Sequence, residues 1–201
     1  MWKFRTVALA PHPDKVMELN VLVNARGRNT AAAGIPIGYY GNAVALPAAI
    51  STAGELCANP LSYAVELVKK AKNQVDIEYM RSRVDLIALR RGRSPPITAG
   101  MYCLSDLTRA RFDNLDFGWG KPVYGGPAPQ AIGATPSLPW LVSFLLASKN
   151  TNGEDGIALL MSLPGHAMDR LVEEMSKLLR LSADVTLLHQ PHMFSVKRSA
   201  L

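Results

Sequence analysis

Apolar residues occupy every odd position from Met17 to Ala25: Met17, Leu19, Val21, Val23 and Ala25. A period of two sends alternate side chains to opposite faces of a pleated chain, so this stretch is predicted to be a strand with one buried face. Further on the period changes. Leu61, Ala64, Val65, Val68 and Ala71 recur at helical spacing. Asn59-Pro60 ahead of them reads as a helix start, with Asn accepting from the first free N–H groups and Pro losing nothing at the first helical position. Glu66 and Lys70, four apart on another face, are expected to pair. A second helix is predicted over about 76–89, with Tyr79, Met80, Val84 and Ile87 on its apolar side. The clearest amphipathic helix carries Met168, Leu171, Val172, Met175, Leu178 and Leu179. Residues 2–9 read as the end of a helix, broken by Pro11 and Pro13.

The intervening segments fill in a sheet. The small apolar run 42–50 is predicted to be a buried strand, and residues 51–55 a turn. Residues 97–107 read as a central strand. Strands at 138–147 and 157–163 are predicted to flank a hairpin loop at 150–156, rich in Asn and Gly. Beyond Ser182 no periodicity remains, so 181–201 is expected to be a mobile tail behind a single domain at 1–180. The order gives an α/β (α+β) layer: a mixed, mostly antiparallel sheet with helices packed on it.

Composition agrees with a globular chain. It has 201 residues, 48% hydrophobic and 19% charged, enough for one large domain or two small ones that bury roughly 70% of the unfolded surface. No run reaches the ~18 consecutive apolar residues of a membrane span. The first residues hold no apolar core of signal-peptide length. A soluble, cytoplasmic protein without a membrane partner is the expectation. The net charge of +6 favours anionic partners, and its basic clusters are Lys69, Lys70, Lys72 and Arg90, Arg91, Arg93. No zinc-finger spacing, RNA-stacking aromatic motif or basic tail accompanies them, which argues against nucleic acid. Cys57 and Cys103 are isolated in apolar surroundings and are expected to be buried thiols. The four histidines, His12, His166, His189 and His192, show no metal-ligand spacing. No P-loop, dinucleotide fingerprint or nucleophile elbow occurs.

One stretch stands apart. Asp116-Phe117-Gly118-Trp119-Gly120 sets a large aromatic between two glycines and a carboxylate just before the first aromatic. Glycines belong where the backbone bends sharply or packs closely, and a second glycine-rich run, 123–127, follows at once. With Lys121-Pro122, the stretch resembles the DFGWG signature of the plant BAHD acyltransferases. Other motifs agree in order and distance. Trp2-Lys3-Phe4-Arg5-Thr6 resembles the family's Trp-x-x-Arg-Thr helix end, and Val23-Asn24-Ala25-Arg26 its Val-Asn-x-Arg strand end. Gly38-Tyr39-Tyr40-Gly41-Asn42-Ala43 resembles its Gly-Tyr-x-Gly-Asn turn. Residues 53–72 resemble its AGEL helix, and Ser105-Asp106 to Arg109 the strand end before the signature. The resemblance covers residues 2–179, and the branch is that of alcohol acyltransferases of the benzyl alcohol O-benzoyltransferase kind, using acetyl- or benzoyl-CoA.

The resemblance implies two similar domains of the chloramphenicol-acetyltransferase type with a tunnel between them. It implies acyl-CoA as co-substrate, a small alcohol as acceptor, and no resident cofactor or metal. The family's His-x-x-x-Asp histidine takes the alcohol proton, and the alkoxide attacks the thioester. That motif is missing here: four residues after His12, His166, His189 and His192 stand Val16, Arg170, Met193 and Val196. The chain therefore resembles a C-terminal half without its general base, expected to be inactive alone. In the family Asp116 is often called catalytic. Its setting beside Phe117, Gly118, Trp119 and Gly120 also fits a structural brace that pairs with an arginine. Ser105 and Asp106 are expected to face the tunnel and help place the thioester or its oxyanion, with strand-end capping as the alternative. Tyr39 and Asn42 line the tunnel entrance in the same analogy, unless Gly38 and Gly41 simply make the bend. Two other readings stay open. One is a non-catalytic fragment that binds CoA, a missing N-terminal half or a full-length relative. The other is an incomplete gene product whose exposed apolar face aggregates. The ending Ser199-Ala200-Leu201 lacks the basic residue of a peroxisomal address.

Overall fold

The computed structural model describes residues 1–26, 35–91, 93, 96–122, 124–127, 141–149, 155–179 and 193–196. It divides into two compact units, Met1–Thr6 with Ala10–Cys103, and Val7–Leu9 with Leu104–Leu201.

In the first unit the strand order is β4-β1-β5. Strand β1 (Val16–Val21) runs antiparallel to β4 (Ala48–Thr52), with Met17 opposite Ser51 and Leu19 opposite Ala49. Those four are buried, while Val16 and Ile50 are exposed, so the alternation read from the sequence is the buried face. The run does not continue as one strand to Ala25. Past Val21 the chain leaves, and β2 (Val23–Asn24) pairs with β3 (Val44–Ala45) in a separate ribbon. Glu18 N–H donates to the carbonyl of Gly100 at 2.9 Å, beside the start of β5 (Met101–Asp106). Helix α1 (Trp2–Leu9) buries Trp2, Arg5, Thr6 and Ala8. The Arg5 guanidinium stacks over the buried Tyr102 ring, 4.5 Å from its centroid.

The turn expected at residues 51–55 is instead the start of helix α2 (Ala53–Ala58). Thr52 Oγ1 accepts from Glu55 N–H at 3.2 Å, and Glu55 Oε2 accepts from Thr52 N–H at 3.3 Å, a reciprocal cap. Asn59 does not start the next helix. Its backbone N–H and Nδ2 both donate to the Glu55 carbonyl, at 3.0 and 2.9 Å, so its side chain is used to close α2. Lys3 Nζ adds bonds to the Cys57 carbonyl, 3.0 Å, and the Asn59 carbonyl. Helix α3 (Leu61–Asn73) begins at Pro60 without a side-chain cap and buries Ala64 and Ala71. Tyr63 holds it to β4 through a 3.1 Å contact with Ser51 Oγ. Glu66 pairs with Lys69 at 2.8 Å, one residue short of the expected Lys70. Asp76 caps α4 (Ile77–Leu89), accepting from Tyr79 N–H at 2.7 Å. No residue of α4 is buried, and Val84 and Ile87 are more than half exposed, against the expectation of a packed apolar side. The cysteines also depart from expectation: Cys57 is exposed and Cys103 half-buried.

In the second unit the order is β5-β6-β7-β8. Leu107 N–H donates to the Leu145 carbonyl at 2.8 Å, joining the end of β5 to β6 (Val142–Lys149). Strands β6 and β7 (Asp155–Leu160) form the predicted antiparallel pair, closed by a 3.0 Å ion pair between Lys149 and Asp155. Leu146 and Leu160 centre the core, with Leu107, Phe112, Phe144 and Ala158 packed around them. Helix α5 (Gly165–Leu179) buries Ala167 and Leu171. The tail is not without structure: β8 (Met193–Val196) pairs antiparallel with β7, Met193 opposite Leu160. Four residues are too few to show a period in the sequence. The predicted strand start 138–140, loop 150–154, Val123, His189, His192 and the rest of the tail lie outside the described residues.

The reciprocal cap generates a prediction. Thr52→Ala removes the acceptor for Glu55 N–H and is expected to cost about 1 kcal/mol, lowering Tm by about 3 °C. A thermal melt matching the unsubstituted protein contradicts this.

Candidate functional site

Two turns carry the motifs, one in each unit. In the first unit the β2–β3 ribbon ends at Arg26. Ala25 N–H donates to the Ala43 carbonyl at 2.9 Å, and Arg26 N–H to Asn24 Oδ1 at 3.0 Å. With its backbone so held, Arg26 sends Nη2 to the carbonyls of Tyr39, 3.3 Å, and Gly41. The Val-Asn-x-Arg strand end and the Gly-Tyr-x-Gly-Asn turn are thereby joined. Within the turn, Tyr39 N–H donates to the Pro36 carbonyl at 3.1 Å. Gly38 has φ +83°, and the Tyr39 ring lies so close over Gly41 that a Cβ there would overlap it. Tyr40 and Asn42 are exposed. The sequence marks Arg26 only as a motif position. Its partners are backbone carbonyls 13 and 15 residues away, which no side-chain pattern displays.

In the second unit β5 ends in Ser105 and Asp106. Adjacent strand residues point to opposite faces, and Ser105 is buried while Asp106 is exposed. The two do not converge on one surface. Asp106 Oδ1 accepts from Thr108 N–H at 3.0 Å and Thr108 Oγ1 at 2.6 Å. This is an Asx turn that carries the chain out of the strand. A 3-10 turn, Phe112–Asn114, leads on to the signature.

There Asp116 Oδ1 accepts from Gly118 N–H at 2.7 Å and Gly120 N–H at 3.1 Å. The carboxylate braces the turn, but not through the arginine expected of it: no ion pair among the described residues includes Asp116. The reason is local. Gly118 at φ +94° and Gly120 at φ +95° turn their amides back toward Asp116. Phe117 and Trp119 are left 78% and 93% exposed. The second glycine run packs instead of flexing. A Cβ on Gly125 would overlap Phe112, and one on Gly126 would come within 2.9 Å of Leu146 Cδ1. Tyr124 O–H donates to the Pro127 carbonyl at 2.6 Å, and desolvation pushes its phenol pKa up.

These residues can shape a binding surface and orient polar groups. Among the described residues no three of His, Cys, Asp and Glu are grouped to hold a metal. Burial pushes the Cys103 thiol up, and Cys57 likewise despite Lys3 nearby; neither is an activated thiolate. No described helix is long and apolar enough to cross a membrane.

Comparison with known proteins gives this geometry its family. The Transferase family matches residues 1–178, and the chain belongs to that family, the BAHD acyltransferases. It is 44% identical over 185 residues to a benzyl alcohol O-benzoyltransferase of Petunia hybrida, covering 92% of this chain and 39% of that one. It is 48% identical over 181 residues to alcohol acyl transferase 1, allele GSc, of Malus domestica, covering 90% and 37%. Its fold resembles F. graminearum TRI101 complexed with coenzyme A and deoxynivalenol, with a TM-score of 0.60, 22% identity, and 88% and 39% of the two chains covered. It also resembles vinorine synthase, with a TM-score of 0.56, 18% identity, and 87% and 39% covered. The chain thus spans less than two-fifths of the length of these relatives.

Two substitutions test the brace. Asp116→Ala releases both glycine amides and is expected to cost about 1 kcal/mol, whereas Asp116→Asn keeps an acceptor oxygen and costs less. Equal losses in urea unfolding contradict a brace. Gly118→Ala is expected to cost about 1–2 kcal/mol from its left-handed backbone alone, since nothing lies within 4 Å of the added Cβ. An unchanged midpoint contradicts that origin.

Proposed function

We propose that this chain is the part of an acyl-CoA-dependent alcohol O-acyltransferase that supplies sheet, turns and one wall of the tunnel, but not the general base. The observation that carries the reading is identity of 44% and 48% to a benzoyltransferase and an alcohol acyl transferase over about nine-tenths of the chain. The reaction joins an alcohol to the acyl group of acetyl- or benzoyl-CoA. The alcohol oxygen attacks the thioester carbonyl, the C–O bond forms, the C–S bond breaks, and the CoA thiol leaves with the alcohol proton. The coenzyme A held by TRI101 supports CoA as co-substrate.

Each residue takes a limited part in this reading. Asp116 is a brace, its Oδ1 already engaged by two amides. Asp106 is the exposed member of the strand-end pair and the one we place at the tunnel. An ionised carboxylate only accepts. It therefore orders a donor on the ligand, such as an amide N–H of the CoA arm, and does not stabilise an oxyanion. Ser105, buried on the opposite face, packs the strand.

A second reading has its own support. His-x-x-x-Asp does not occur in the sequence, which favours binding without turnover by this chain. The purified 201-residue protein, given acetyl- or benzoyl-CoA and benzyl alcohol, is expected to form no ester above the uncatalysed rate. Turnover would sink that expectation and place a general base within this chain.

A further inference from the structure

We infer that Arg26 is a positioning residue: it clamps the turn at residues 36–42 so that Tyr40 and Ile37 are presented, fixed, to an acyl-CoA ligand. The inference rests on the acyl-CoA reading for its ligand, and on the geometry of the first unit for the clamp. The base of the Arg26 side chain cannot drift, because the amides of Ala25 and Arg26 are both engaged, by the Ala43 carbonyl and by Asn24 Oδ1. Its Nη2 carries two N–H groups and meets two carbonyls, those of Tyr39 and Gly41. These lie on either side of Tyr40, so one guanidinium nitrogen bridges the residue it presents. Folding of the Tyr39 ring over Gly41 closes the turn from its other side.

What the clamp leaves outside is specific. Tyr40 and Ile37 are fully exposed, whereas Tyr39 is about half covered. An exposed tyrosine on a loose turn loses conformational freedom when it meets a ligand. On a clamped turn that cost is already met in folding, and affinity rises accordingly. Charge-assisted bonds to carbonyls are the stronger kind. A lysine offers a compact ammonium in place of the planar fork and serves the two carbonyls less well.

The test uses the 201-residue protein and two variants, Arg26→Met and Arg26→Lys. Chymotrypsin cleavage after Tyr39 and Tyr40 is followed by mass spectrometry, since cleavage tracks the open population of a segment. Coenzyme A is titrated by calorimetry, and thermal melts check the fold. For Arg26→Met we expect cleavage about tenfold faster and coenzyme A binding about tenfold weaker, from the lost charge-assisted bonds, with Tm within a degree or so of the parent. Arg26→Lys is expected to fall between, and it carries the test if the Met variant fails to fold. Cleavage at the parent rate in both variants overturns the clamp. Faster cleavage with unchanged coenzyme A affinity overturns its role in ligand binding. If the unsubstituted chain takes up no coenzyme A, the acyl-CoA reading fails for this chain and the ligand half falls with it, while the cleavage rates still decide the clamp.

Discussion

A buried guanidinium sets the terms for the first unit. Arg5 is fully buried, and removing a charge from water costs several kcal/mol unless the surroundings replace its solvation. The Tyr102 ring, itself fully buried, lies under it at 4.5 Å. Burial lowers the Arg5 pKa while Tyr102 pushes it back up, and an arginine remains charged throughout. This contact ties helix α1 to strand β5. Strand β5 begins in the first unit and ends in the second.

Three charged residues of the motif turns bond to backbone. Arg26 takes the carbonyls of Tyr39 and Gly41, Asp106 the amide of Thr108, Asp116 the amides of Gly118 and Gly120. Side chains used this way fix turns. The glycines complete the arrangement. At Gly118 and Gly120 the backbone is left-handed, and at Gly125 and Gly126 there is no room for a side chain beside Phe112 and Leu146. What such turns display is apolar: Phe117 and Trp119 in one unit, Tyr40 in the other.

Much of this was legible in the sequence. The odd-position run at Met17, Leu19 and Val21 gave β1 and its buried face, and the stripe from Met168 to Leu179 gave α5. The motifs gave the family, because their order and spacing are stringent where each alone is weak. The misses have physical causes. Helix α2 has six residues, too few for a helical period, although Thr52-x-x-Glu55 held its start signal. Asn59 has the chemistry of an N-cap but closes the preceding helix, its side chain donating to the Glu55 carbonyl. The bond partners of Arg26 and Asp116 are main-chain groups, and composition is silent about those. Ser105 and Asp106 were grouped by a motif, while the pleat of β5 separates them.

As proposed above, this chain contributes the braced, base-free portion of an alcohol acyltransferase. Mapping the 5′ end of the native transcript tests it most directly. We predict a reading frame that continues upstream of the Met1 codon and encodes His-x-x-x-Asp. A transcript that starts at Met1, with no upstream frame, would contradict it.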